Sequence, residues 1–178
     1  MQLIIGNKNY SSWSLRTWWL LKSLGVPFNE VVVPLAQPET RATLLQYSPS
    51  GKVPVLINDE VALWDTLAIT EYCHESYLGV WPVDHVMRAY ARAICAEMHS
   101  GFSALRTEMP MNSRVRVKVT PSAACIADIE RVCAIWRDCR ARYGHLGPWL
   151  FGKWSAADAF FAPVVMRFNS YGVELDDT

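Results

Sequence analysis

The chain has 178 residues, 51% of them apolar, with eight Trp and with 17 cationic side chains against 17 anionic ones. That length holds one ordinary domain or two small ones. The balanced charge gives no electrostatic ground for binding nucleic acid or an anionic membrane, and no apolar run approaches the ~18 residues of a membrane-spanning helix.

Met1 to Gly6 lacks the basic and long apolar segments of a secretory leader and is expected to be a first strand, over residues 2–6. Tyr10-Ser11-Ser12-Trp13-Ser14-Leu15-Arg16 then forms a hydroxyl-rich turn leading into a helix over about 15–24. Gly25 suits the left-handed closing position of that helix, and Pro27 blocks its continuation. Phe28 to Val33 is β-branched and reads as a second strand, so the connecting helix implies a parallel β-α-β unit. Glu39 to Gln46 is a short helix, Ser48-Pro49-Ser50-Gly51 a turn, and Val53–Ile57 a strand with a proline inside it. Asn58-Asp59 turns the chain into a second strand, Val61 to Trp64, which makes a hairpin. Asp65 or Thr66 caps a helix to about Tyr77. The order β-α-β-α-β-β-α places a domain at 1–78.

Leu78-Gly79-Val80-Trp81-Pro82 reads as a linker, and residues 79–178 as an all-helical domain. From Met87, apolar residues recur at Ala91, Ile94, Met98, Phe102, Leu105 and Met109, which predicts one amphipathic helix ended by Pro110. Arg114-Val115-Arg116-Val117-Lys118-Val119 reads as a solvated connection, with a short strand or a phosphate-contacting arm as alternatives. Pro121 starts a second long helix, with Ile126, Ile129, Cys133 and Trp136 expected on its inner face. Ser155-Ala156-Ala157-Asp158 is a capping-box variant before an apolar run, which Pro163 should bend or relax. Cys73, Cys95, Cys125, Cys133 and Cys139 lie in helical stretches without zinc spacing, so reduced thiols in a cytoplasmic protein are expected and no metal site is. His74, His85, His99 and His145 are scattered and suggest no catalytic triad.

Three stretches carry chemistry. The serines stand where a helix presents unpaired N–H groups, which favour an anion. Each serine can cap the helix or donate its O–H to that anion. Val53-Pro54 is either an edge-strand proline with a trans bond or a cis bond that turns the Val53 amide outward as a docking edge for an extended peptide. Asp65-Thr66 caps a helix, or grips a group bearing both an ammonium and a carboxylate.

In order and spacing, Ser11–Arg16, Ser50–Leu56, Leu63–Tyr72 and Ser155–Asp158 together resemble the glutathione transferases, most of all the bacterial, serine-type, zeta- and tau-like classes. The resemblance runs along essentially the whole chain. It implies a thioredoxin-like N-terminal domain, an all-α C-terminal domain and a cytoplasmic homodimer with glutathione as co-substrate. By position, Ser11, with Ser12 as the near alternative, would donate to the glutathione sulfur, and Ser14 would be left to the helix. Val53, before Pro54, would pair with the cysteinyl backbone, Asp65 and Thr66 would hold the γ-glutamyl end, and Lys52 the glycine carboxylate. Trp13 stands where zeta-class enzymes have a cysteine. Trp13, Met98, Phe102, Arg106 and Met109 are the expected electrophile site. The implied activity is conjugation of glutathione to a small electrophile, the alternatives being maleylacetoacetate-like cis–trans isomerisation or a non-catalytic binding module. Members of this family usually continue past Tyr171-Gly172-Val173 with further helices, so the fold is expected to be short at its C-terminus.

Overall fold

A computed structural model describes residues 1–59 and 61–175; the chain end at Thr178 lies outside the described residues. The chain divides into two compact units, Met1–Val80 and Trp81–Thr178. The first contains β1 (Gln2–Ile5), α1 (Ser12–Ser23), β2 (Asn29–Val32), α2 (Thr40–Leu45), β3 (Val55–Asn58), β4 (Val61–Trp64) and α3 (Thr66–Ser76). This is the β-α-β-α-β-β-α order read along the sequence, and the thioredoxin-like arrangement that the resemblance implies.

The four strands form one mixed sheet in the order β2-β1-β3-β4. β1 runs parallel to β2 and antiparallel to β3, which pairs antiparallel with β4. Successive strand residues face opposite sides. One side buries Ile4 and Val55 with Val33 and with Leu44 of α2. The alternate residues Leu3, Ile5 and Leu56 are buried on the other, and α1 packs against α3. The sheet ladder starts at Val55, so Pro54 stands just outside it rather than within a strand. That placement removes any conflict with the missing proline N–H.

An ion cluster ties α1 to β2. Glu30 accepts the Trp18 indole N–H at 2.7 Å and pairs with Lys8, while Lys22 stands 4.0 Å away. The bonds from Lys8 and Trp18 hold the Glu30 carboxyl below its ordinary value of 4.5. A depressed folded value stabilises above the unfolded one and is lost as pH falls through the folded one. Glu30→Gln should therefore cost about 1 kcal/mol or less near neutrality, and the gap from wild type should narrow as pH falls below the ordinary value of 4.5 and close once it has passed the lowered folded one. Urea titrations at several pH values would check this.

The second unit contains α4 (His85–Ser100), α5 (Ser103–Glu108), α6 (Ala123–Tyr143) and α7 (Ala156–Tyr171). The single helix predicted from Met87 to Met109 is in fact two. The chain breaks at Phe102, whose backbone is left-handed at φ 61°. The apolar spacing runs through the break unaltered, and the local mark of it is Gly101, the C-cap of α4. Arg106 of α5 donates to the Gly101 carbonyl at 2.9 Å and to the Met98 carbonyl, closing the end of α4. The Asp128 carboxylate of α6 accepts the Leu105 N–H at 3.0 Å near the start of α5.

The inner face of α6 also differs from expectation. Ile126 is 43% exposed, whereas Cys125, Val132, Cys133, Ile135 and Cys139 are buried. The helix is rotated so that the smaller thiols pack inward, and Trp136 meets Phe161 and Phe168 edge-on. Residues 114–119 form no strand; Val117 N–H donates to the Ser170 carbonyl at 2.9 Å. α7 runs from Ala156 to Tyr171 with a buried Pro163 inside it. Its Arg167, Ser170 and Tyr171 side chains bind the carbonyls of Met109, Asn112 and Pro110.

Candidate functional site

The sheet register brings the three chemistry-bearing stretches to one edge. Ile4 pairs with Val55, and Val55 pairs with Trp64. These three residues form a row across adjacent strands at the end where β1 leaves the sheet, β3 enters and β4 leaves. The serine turn follows Ile5, Val53-Pro54 precedes Val55, and Asp65-Thr66 follows Trp64 directly.

The serine turn is shaped by Asn7, which belongs to none of the expected site residues. The Asn7 carbonyl accepts the N–H groups of Tyr10 and Ser11 at 3.2 and 2.9 Å. Its side-chain oxygen accepts the Leu35 N–H at 2.8 Å. Asn is a favoured turn former because its side chain bonds backbone groups, and that preference is the local signal for it in the sequence. Ser11 occupies the N-cap position of α1 but makes no side-chain cap bond. Its Oγ donates instead to Ser14 Oγ at 2.7 Å, and Ser14 Oγ also accepts the Gly6 N–H at 2.9 Å. Ser14 is thus spent on Ser11 and the backbone of Gly6, not left to the helix as expected. Ser11, Ser12 and Ser14 are all buried.

At the second stretch the Val53–Pro54 bond is cis. The turn before it is held by its own serines, with Ser48 and Ser50 hydroxyls 2.9 Å apart and Lys52 N–H donating to Ser50 Oγ at 3.3 Å. Gly51 takes the left-handed backbone there, at φ 57°. Lys52 is exposed. At the third stretch Asp65 caps α3 by accepting the Leu67 N–H at 2.8 Å. Its φ of 75° is rare for a residue with a side chain. Thr66 is buried, and its carbonyl accepts the Thr70 hydroxyl at 2.7 Å.

Trp13 is half-buried, with the Arg16 guanidinium 4.4 Å from its ring centre. Arg16 itself is 1% exposed, the largest fully buried side chain of the chain's described residues. Behind Ser14 lies a cavity of about 200 Å³ lined by Ile5, Lys8, Ser14, Leu15 and Trp18. Met98, Phe102 and Met109 of the helical unit are buried, and Arg106 is tied to the α4 carbonyls. Burial holds the Arg106 guanidinium below its ordinary value.

The protein's own thiols are poor nucleophiles. All five cysteines are free and buried. Burial pushes Cys73 up to about 11 and Cys139 up to about 12, and raises Cys125 as well. Thiolate chemistry at the serine edge would need a thiol brought from outside. Among the described residues, no three His, Cys, Asp or Glu side chains gather as a metal site, and no helix is long and apolar enough to cross a membrane.

Residues 10–76 match the family model described as the glutathione S-transferase N-terminal domain. Residues 10–76 thus carry a glutathione S-transferase N-terminal domain. It is 34% identical over 96 residues to a probable maleylacetoacetate isomerase of Caenorhabditis elegans, covering 53% of this chain and 44% of that protein. The chain spans less than half the length of the curated relatives it matches. A Burkholderia glutathione transferase homologue with bound glutathione superposes with a TM-score of 0.68 at 25% identity, over 98% of this chain and 84% of the other. Holo maleyl pyruvate isomerase, a bacterial zeta-class protein, has a TM-score of 0.73 at 23% identity, covering 98% and 85%. The glutathione transferase architecture is therefore that of this chain, a thioredoxin-like domain followed by a helical one.

Proposed function

We propose that this protein is a glutathione transferase, which binds glutathione along the sheet edge and transfers its thiolate to a small electrophile. The observation that carries the reading is the register row Ile4, Val55, Trp64, which gathers a serine turn, a proline-turned backbone and a capped helix start at one edge. Ser11 donates to the sulfur, the Val53 amide pairs with the cysteinyl backbone, and Asp65 with Thr66 and the α3 N-terminus holds the γ-glutamyl ammonium and carboxylate. Lys52, exposed beside them, takes the glycine carboxylate. Ser12 is the alternative donor, and Trp13 borders the sulfur.

The chemistry needs little from the protein. A free thiol near pKa ~8.5 is only a few per cent thiolate at neutral pH. Hydrogen bonding to the charged sulfur and the positive end of α1 both favour the thiolate. A tenfold gain in the ionised form corresponds to about 1.4 kcal/mol. The thiolate then attacks the electrophilic carbon, and the leaving group departs with the electron pair of the bond that breaks. Of the expected electrophile residues, Trp13 is the one that the first unit supplies. Met98, Phe102 and Met109 are buried in the helical unit, and Arg106 is held by α4 carbonyls, so the electrophile is assigned to Trp13 first.

A second reading, glutathione-dependent cis–trans isomerisation, is favoured by the similarity to proteins named as maleylacetoacetate and maleyl pyruvate isomerases. It predicts isomer conversion with no net consumption of glutathione. The reading of a non-catalytic binding module predicts retention on glutathione without turnover. We also propose a cytoplasmic homodimer: the buried free thiols suit a reducing compartment, and edge strand β4 leaves Val61 and Trp64 exposed.

Retention on immobilised glutathione tests the binding site. Wild type should be retained, and Asp65→Ala should bind about 10- to 100-fold more weakly, the loss of one charge-assisted hydrogen bond. Equal retention of a folded Asp65→Ala protein would remove Asp65 from the site, and flow-through of wild type would remove the site altogether.

A further inference from the structure

We infer that Ser14 is a positioning residue that turns the Ser11 hydroxyl into a one-way donor. The inference rests on the reading of Ser11 as the sulfur ligand. Three atoms carry it: Gly6 N, Ser14 Oγ and Ser11 Oγ, linked at 2.9 and 2.7 Å and all in buried residues.

A serine hydroxyl has one hydrogen to donate and two lone pairs to accept with. Without glutathione, Ser14 accepts twice, from the Gly6 N–H and from the Ser11 O–H, and Ser11 spends its hydrogen on Ser14. A thiolate beside Ser11 competes for that hydrogen. When Ser11 turns to the sulfur, the 2.7 Å contact survives only if Ser14 now donates to Ser11. Ser14 can do so because the Gly6 N–H, a fixed backbone donor, continues to occupy one of its lone pairs. The chain then runs in one direction, Gly6 N–H to Ser14 O–H to Ser11 O–H to sulfur, and each bond polarises the next.

The protein scaffold enforces this spacing. Gly6 is buried, and a Cβ built on it would lie 2.4 Å from Leu35 Cδ1 and 3.1 Å from Ser11 Cβ. The strand end is thus pressed against the serine turn, and any side chain there would have to displace Leu35. The Asn7 carbonyl holds the Ser11 N–H from the other side. With both ends fixed, rotation of two hydroxyl hydrogens is the cheapest response to the thiolate, and no heavy atom needs to move.

A residue that merely packs would leave the ionisation of bound glutathione unchanged. The thiolate absorbance of glutathione bound to wild type, Ser14→Ala, Ser14→Cys and Ser14→Thr, titrated against pH, separates the two roles. Ser14→Ala should cut the thiolate-to-thiol ratio about tenfold at a given pH, one neutral hydrogen bond's worth, with the KM for glutathione nearly unchanged. Ser14→Thr keeps the hydroxyl and should titrate like wild type. Ser14→Cys, with a weak S–H donor, should fall between, and it carries the test if the alanine variant does not fold. Wild-type titration in the alanine or cysteine variant overturns the positioning role and leaves Ser11 as sulfur ligand. Titration of wild type at the free-thiol value overturns the Ser11 reading and this inference with it.

Discussion

Replacing Ser11 with alanine should lower kcat/KM for glutathione conjugation about 10- to 100-fold, because a hydrogen bond to a charged partner is worth roughly 1.5–3 kcal/mol. The fold should survive, since Ser11 makes no cap bond to α1 and its backbone N–H bond to Asn7 does not involve the side chain. Its hydroxyl is bonded to Ser14, which in the variant keeps the Gly6 N–H as partner. Ser12→Ala should have a much smaller effect if Ser11 is the sulfur ligand. Steady-state rates with a chlorinated nitrobenzene, compared for the two variants and wild type, decide between them. A Ser12→Ala loss larger than the Ser11→Ala loss would move the role to Ser12.

Asp158→Ala should be the most destabilising polar substitution in the helical unit, at about 2–4 kcal/mol for two lost backbone partners. One carboxylate oxygen of Asp158 accepts the Leu150 N–H at 3.1 Å, and the other accepts the Ser155 N–H at 2.8 Å. The second bond is half of the capping box that starts α7. Alanine leaves two backbone donors with no acceptor, each costing roughly 1–3 kcal/mol where buried. The Asp158→Asn variant would still accept one of them through its amide oxygen, so it should cost about half as much. Burial raises the Asp158 carboxyl above its ordinary value against the pull of these bonds. A raised folded value means stability greatest below the unfolded one and reduced as pH rises through the folded one. Part of the wild-type advantage is therefore offset at neutral pH. Urea unfolding of the three proteins measures the series; equal stability of Asp158→Ala and wild type would show that the box contributes nothing.

The first unit was legible because its signals are local. The apolar runs at 2–5 and 55–58, the turn residues around 48–51 and 58–59, and the Asp65 cap each act within a few residues. Their common edge needed the register, but the β-α-β-α-β-β-α order restricts it to a few arrangements. The break between α4 and α5 was hidden because apolar residues keep helical spacing across it. What breaks the helix is Arg106 reaching back and Asp128 reaching across from α6, and neither appears in a hydrophobic pattern.

The same limit applies to the site. The serine turn was legible from its place before a helix, but the division of labour among the serines was not. Capping propensity predicts that an N-cap serine binds its own helix. Here the Gly6 N–H and Ser11 O–H converge on Ser14 instead, a partnership across the strand–helix turn. Arg167 was missed for a related reason. Its cation is buried in α7 and donates to the Met109 carbonyl, and burial lowers its pKa to about 10. A charged residue inside an apolar helix is visible in sequence, but its carbonyl partner lies 58 residues away.

The central claim is that the serine edge lowers the pKa of an external thiol, and titrating the thiolate absorbance of glutathione bound to the wild-type protein tests it most directly. The account predicts half-ionisation roughly one to two pH units below the free-thiol value of ~8.5, and a return toward that value in Ser11→Ala. Bound glutathione that ionises at the free value in wild type would contradict it.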